Sequence, residues 1–217
     1  MAVLRSVPNM TLLEPGDATE TESVLDVAQA VNGPVYVRML RGEIPRLFDA
    51  AEPMVFNQAR VLSTGADVTL FSSGICTEEA MRATHLLRER GLSIQHMHVS
   101  TLKPFTDPSI LAAAAQANHG VVTMENHTIL GGLGTCLAEV MAEAGLSQRL
   151  VRLGLPDTYA YGASRHHLMR TYDLDALALV RRLETMLETS FDITEDDLAS
   201  VRLEAAASLS RAQLEAL

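Results

Sequence analysis

"GADVTLFSSGICTEEAMRA", residues 65–83, decides the fold. Asp67 to Ser72 reads as a buried strand that stops at Ser73-Gly74. Thr77 is then expected to cap a helix, with Glu78 and Glu79 in its first turn, where carboxylates meet the positive end of the helix dipole. Gly91 closes that helix, and Ile94 to Val99 reads as the next strand. A strand, a helix and a second strand in that order make a parallel βαβ unit.

The same order continues downstream. Asp107-Pro108 opens a helix with proline at its first position. Gly120 to Met124 is a strand, Gly134 to Ala144 a helix and Leu150 to Leu153 a strand, with helices expected near 164–170 and 175–187. Residues 55–190 therefore form an α/β domain with a largely parallel sheet. Upstream, Met10 to Leu13 is a short strand broken by Pro15-Gly16. Asp17 caps a helix running to about Val31, with Glu20 as its capping-box partner, and Val35 to Met39 is a further strand. Residues 1–50 bury too little to stand alone and look like the end of a larger α/β domain, with an apolar sheet edge left uncovered. After Ser190 the chain turns Ala/Leu/Glu-rich, and 191–217 reads as a helical tail with Leu198, Val201, Leu203 and Leu209 as its apolar positions.

A net charge of −10 argues against general nucleic-acid binding, which needs a basic face. No apolar run reaches the length of a membrane span, and the first residues do not form a signal peptide. Two widely spaced cysteines, Cys76 and Cys136, make no disulfide framework and point to a reducing cytoplasm.

Candidate chemistry is sparse. Arg41, just past a strand end, and Arg5, ahead of the Val7-Pro8 bend, are placed either to grip a phosphate through the guanidinium fork or to sit as solvated charges. "HTILGGLGTCLAEV", 127–140, is a glycine-rich loop entering a helix. It lacks G-x-G-x-x-G and Gly-Lys-Ser/Thr, so close helix packing is favoured over an anion site. His96 and His98 share one face of a strand but have no third metal ligand at a recognisable spacing, and His166-His167 diverge; structural roles are favoured for all four. Glu14, Glu20 and Glu22 read as a cap and solvated helix charges. No metal or catalytic residue is assigned.

Six stretches, taken in order, resemble the C-terminal portion of the transketolase family. They are "LRSVPNMTLLEPGDATE", "GPVYVRMLRGEIP", "GADVTLFSSGICTEEAMRA", "STLKPFTDPSI", "GVVTMENHTILGGLGTCLAEV" and "VRLGLPDTYAYGASRHHLMRTYDL". The likeness is greatest to the second subunit of split transketolases, and deoxyxylulose-phosphate synthase shares the first two elements. It implies a three-layer α/β sandwich with a mixed, largely parallel sheet over 55–190, the transketolase C-terminal domain. Residues 1–50 would be the remnant of a pyrimidine-binding domain, followed by the helical tail.

The resemblance also implies what is missing. The family's Gly-Asp-Gly…Asn motif for Mg²⁺ and diphosphate, and the glutamate that activates the cofactor, have no counterpart in this sequence. Thiamine diphosphate and Mg²⁺ are thus expected only in an assembled enzyme, held by a diphosphate-binding-domain subunit, in a homo- or hetero-oligomer without nucleic acid or membrane. Arg41 matches a family arginine that contacts the substrate phosphate, and Arg5 matches a second one in the deoxyxylulose-phosphate synthase pattern. The implied activity is transfer of a two-carbon ketol unit between sugar phosphates, with this chain inactive alone. The alternative is a non-catalytic assembly module, or a truncated gene product, that keeps the fold.

Overall fold

In the N-terminal segment, α1 (Ala2–Arg5), β1 (Thr11–Leu13), α2 (Ala18–Ala30) and β2 (Val35–Val37) follow one another in a computed structural model that describes residues 1–203. Asp17 builds this segment. Its Oδ1 accepts the Glu20 N–H at 2.8 Å as the expected N-cap, and its Oδ2 accepts the N–H groups of Leu47 and Phe48, each at 2.9 Å. One fully buried carboxylate thus starts a helix and anchors the irregular connection after β2.

The second unit runs β3 (Arg60–Ser63), β4 (Val68–Ser72), α3 (Cys76–Glu89), β5 (Ile94–His98), β6 (Thr101–Lys103), α4 (Pro108–Gln116), β7 (Gly120–Thr128), α5 (Leu133–Glu143), β8 (Leu150–Leu155), α6 (Arg165–Thr171), α7 (Ala176–Leu187) and α8 (Glu195–Ser200). Five strands form one sheet in the order β3-β5-β4-β7-β8, parallel except for the antiparallel edge strand β3. Side chains alternate across it. Leu70, Ile94, Val122 and Met124 pack in one cluster with residues of α3, α7 and α8. Phe71, Met97, Val121 and Val99 pack in another with residues of α4 and α5. Both faces are covered by helices, as a parallel sheet requires.

One detail departs from the sequence reading and two add to it. Helix α3 starts at Cys76 without a side-chain cap, because the Thr77 hydroxyl turns inward to Ser72 and His98. β1 pairs in parallel with β2 on one side and antiparallel with β6, from the second unit, on the other. The terminal strands of this small sheet are β2, beside exposed Tyr36 and Met39, and β6. The described part of the tail packs on its own chain. Thr194 and Asp197 form a capping box, and Leu198 and Val201 are buried in the cluster of α3 and α7. Leu209 lies outside the described residues.

Candidate functional site

The two units meet through buried polar groups. Glu20 on α2 is only 2% exposed, and its Oε2 accepts the Gly16 N–H at 3.0 Å and lies 2.8 Å from His98 Nε2. From His98 Nδ1 the contacts continue to Thr77 Oγ1 at 2.7 Å, on to Ser72 Oγ at 2.9 Å and to His96 Nε2 at 2.8 Å. With His98 Nε2–H donating to the Glu20 carboxylate and Nδ1 accepting, the chain runs one way: Thr77 donates to His98, Ser72 donates to Thr77 and His96 Nε2–H donates to Ser72. Burial opposes a charge on Glu20. The His98 imidazole and its hydrogen bond, the Gly16 N–H and nearby Arg60 outweigh that and hold the carboxyl below its usual range. Burial lowers His96 to about 3, so it stays neutral. Phe48 stacks at 5.2 Å from the His98 ring, and Arg60 lies 4.5 Å over Phe48. A Cβ on Gly16 would sit 2.5 Å from His98 Cε1, so only glycine lets the ring close onto that backbone. Glu20 is therefore neither a solvated helix charge nor the capping-box partner of Asp17, because its carboxylate accepts from Gly16 and meets His98 instead; Glu22 is exposed and pairs with Arg46.

A second set closes the upper end of the junction. Arg38 follows β2, and its N–H donates to Leu13 O at 2.8 Å. Its guanidinium pairs with the buried Glu14 carboxylate, donates to Asn126 Oδ1 at 2.7 Å and donates to the Asn126 carbonyl at 3.0 Å. Glu14 follows β1 and Asn126 lies near the end of β7, so one side chain ties both units together. Arg41, three residues on, has no hydrogen-bond or ion-pair partner among the described residues. It lines a cavity of about 100 Å³ with Glu14, Arg38, Gly74, Ile75 and Asn126. That is room for roughly three waters, or for one tetrahedral oxyanion. Arg41, Leu40, Ile75 and Asn126 also border a neighbouring apolar pocket of about 280 Å³.

Arg5 is not brought to this cavity. It ends α1 rather than preceding a strand, and its guanidinium pairs with Glu139 on α5. Lys103 Nζ donates to the Arg5 carbonyl at 2.7 Å.

The glycine-rich loop does hold an acidic group, and that group is the chain's own. Glu125, 1% exposed, accepts the N–H groups of Leu133 and Gly134 at 2.7 and 2.8 Å, at the start of α5. A Cβ on Gly132 would lie 1.8 Å from Glu125 Oε2, so the loop is glycine because a carboxylate fills it. Burial, against the pull of these donors, raises the Glu125 carboxyl from 4.5 to about 7. The native state thus keeps a proton that the unfolded chain loses earlier. The stability it contributes is present below about pH 4.5 and is lost as pH rises toward 7, at about 1.4 kcal/mol per unit. Denaturant melts are expected to show the protein roughly 2–3 kcal/mol weaker at pH 7.5 than at pH 5 from this group. Glu125→Gln should remove most of that difference; an unchanged pH dependence in the variant would assign it elsewhere.

Among the described residues, no three His, Cys, Asp or Glu side chains gather as a metal site. No helix there is long and apolar enough to cross a membrane.

Comparison with known proteins matches residues 57–178, more than half of the chain, to the family described as "Transketolase, C-terminal domain". A Methanocaldococcus jannaschii protein, provisionally named as a transketolase C-terminal section, is 33% identical over 185 residues, covering 84% of this chain and 57% of its own. The 6-deoxy-6-sulfo-D-fructose transketolase subunit of Clostridium sp. (strain MSTE9) is 31% identical, covering 87% and 58%. A solved structure titled as a split-gene transketolase, inactive beta4 tetramer, superposes with a TM-score of 0.79 at 31% identity, covering 87% of this chain and 61% of that one. The chain spans somewhat over half the length of the relatives it matches.

Proposed function

This chain belongs to the transketolase C-terminal-domain family, and from that premise we propose that it is the C-terminal part, or second subunit, of a thiamine-diphosphate-dependent transketolase-type enzyme. That enzyme would move a two-carbon ketol unit between sugar phosphates. The observation that carries the reading is Arg41, a guanidinium with no protein partner among the described residues, at the mouth of a small cavity where the two units meet. Such a fork suits the phosphate end of a substrate. Arg5 is the second candidate. Its pair with half-exposed Glu139 would give way to a phosphate at a cost of about 0–1 kcal/mol, the worth of a surface ion pair.

The described residues do not fit the cofactor itself. The glycine-rich helix start that could receive a diphosphate is filled by Glu125, and no metal-ligating cluster is present among them. In this proposal a diphosphate-binding-domain subunit holds thiamine diphosphate and Mg²⁺, which supply the carbanion chemistry. This chain binds and orients the phosphate end of the substrate and shapes the entrance. The neighbour's title, an inactive beta4 tetramer of a split-gene transketolase, supports a chain that self-associates and is inactive alone. The two buried free cysteines suit the cytoplasm.

Calorimetry tests the division of labour. The chain alone should show no tight, Mg²⁺-dependent binding of thiamine diphosphate, and binding should appear once the diphosphate-binding subunit is added. Tight binding to the chain alone would overturn the proposal.

A further inference from the structure

Arg41 does not face its cavity alone. Glu14 lines the same 100 Å³ space, and a buried carboxylate beside an intended anion site is a contradiction unless something neutralises it. Arg38 does so. Its guanidinium pairs with Glu14 and, through two further hydrogen bonds, fixes the Asn126 side chain and carbonyl on the cavity wall. We infer that Arg38 is the positioning and charge-balancing residue of this cavity, the group that makes it selective for a phosphate. The inference rests on the reading that Arg41 takes phosphate.

The charges argue it directly. Glu14, Arg38 and Arg41 are the charged side chains of the lining. With Glu14 and Arg38 paired, their charges cancel and Arg41 is left to meet an anion. Without Arg38, the carboxylate would repel the phosphate and draw the Arg41 guanidinium to itself. Two like charges a few ångströms apart at a partly buried site are worth roughly a tenfold change in affinity or more. Arg38 commits both Nη1 N–H groups, to Glu14 and Asn126, and one Nη2 N–H, to the Asn126 carbonyl. The part inferred for it is played through Glu14 and Asn126, the groups it holds.

The test uses the full chain with inorganic phosphate as probe, followed by ³¹P relaxation. Arg41→Ala should abolish binding. Arg38→Ala should weaken it about tenfold, and Arg38→Ala combined with Glu14→Gln should return it to within about threefold of the wild type. Arg38→Lys keeps the charge and should also stay within about threefold, which covers the case where the alanine variant fails to fold. Glu14→Gln alone should bind phosphate as tightly as the wild type or tighter, whereas a purely structural Glu14–Arg38 pair would make it bind more weakly. No phosphate binding to the wild-type chain, or binding untouched by Arg41→Ala, would overturn the reading of the site and the inference with it. Loss in Arg41→Ala without recovery in the double variant, or weakened binding in Glu14→Gln, would overturn the inference alone and leave Arg41 as the phosphate ligand.

Discussion

His98→Leu is expected to lower the stability of the chain by about 3–5 kcal/mol, a large share of the 5–15 kcal/mol that holds a typical domain together. Leucine nearly fills the space but leaves the Glu20 carboxylate, 2% exposed, without its imidazole. It also removes one of the two partners of the Thr77 hydroxyl, the contact at 2.7 Å, and leaves only Ser72. Glu20→Gln should cost less, because the amide oxygen still accepts from Gly16 and His98. The pH dependence separates the two effects. Glu20 is held below the usual carboxylate range, so its contribution is complete above the ordinary carboxylate pKa and is lost as pH falls through the depressed value. Wild-type protein should therefore lose stability more steeply in acid than Glu20→Gln. Chemical melts between pH 3 and 6 check this; parallel curves would mean that the pair carries little of the junction.

Arg41→Ala is expected to cut kcat/KM for a phosphorylated substrate by roughly 10–100-fold in the assembled enzyme, with little change for the same sugar lacking phosphate. The estimate follows from about 1.5–3 kcal/mol for a hydrogen bond to a charged group, at 1.4 kcal/mol per factor of ten. Ribose 5-phosphate and ribose make the comparison. Arg41→Lys should recover only part, since a point charge cannot reproduce the planar fork. Arg38 would be a poor control despite lying three residues away, because it clamps Glu14 and Asn126. Exposed Arg182 on α7 removes the same charge from a different surface and is the better one. Equal losses for both sugars in Arg41→Ala would return this residue to the status of a surface charge.

Much of the architecture was legible because its signals are local. Asp17, Asp107, Ser164 and Asp175 each accept a backbone N–H at a helix start, where capping chemistry puts them. The buried strands Val68–Ser72 and Gly120–Met124 announce themselves as apolar runs. Strands β3 and β6 did not, because they lie outside the strand–helix alternation and their pairing is decided by distant partners. Thr77 misled for a related reason: a hydroxyl near a helix start caps it unless the interior makes a better offer, and here Ser72 and His98 do. The junction lay beyond local reading. Glu20 meets His98 across 78 residues and Arg38 meets Asn126 across 88, so only the folded chain brings them together. The glycine-rich loop carried a nearer clue in Glu125, eight residues before Leu133. An acidic residue late in a strand ahead of such a loop can be its own ligand.

Ketol transfer from a ketose phosphate to an aldose phosphate, measured with thiamine diphosphate and Mg²⁺ present, tests the central proposal most directly. The comparison is this chain alone, a diphosphate-binding-domain subunit alone, and the two mixed. Turnover is expected only in the mixture and should rise with added chain until the subunits are matched. Turnover by the chain alone, or a mixture no faster than the other subunit by itself, would contradict it.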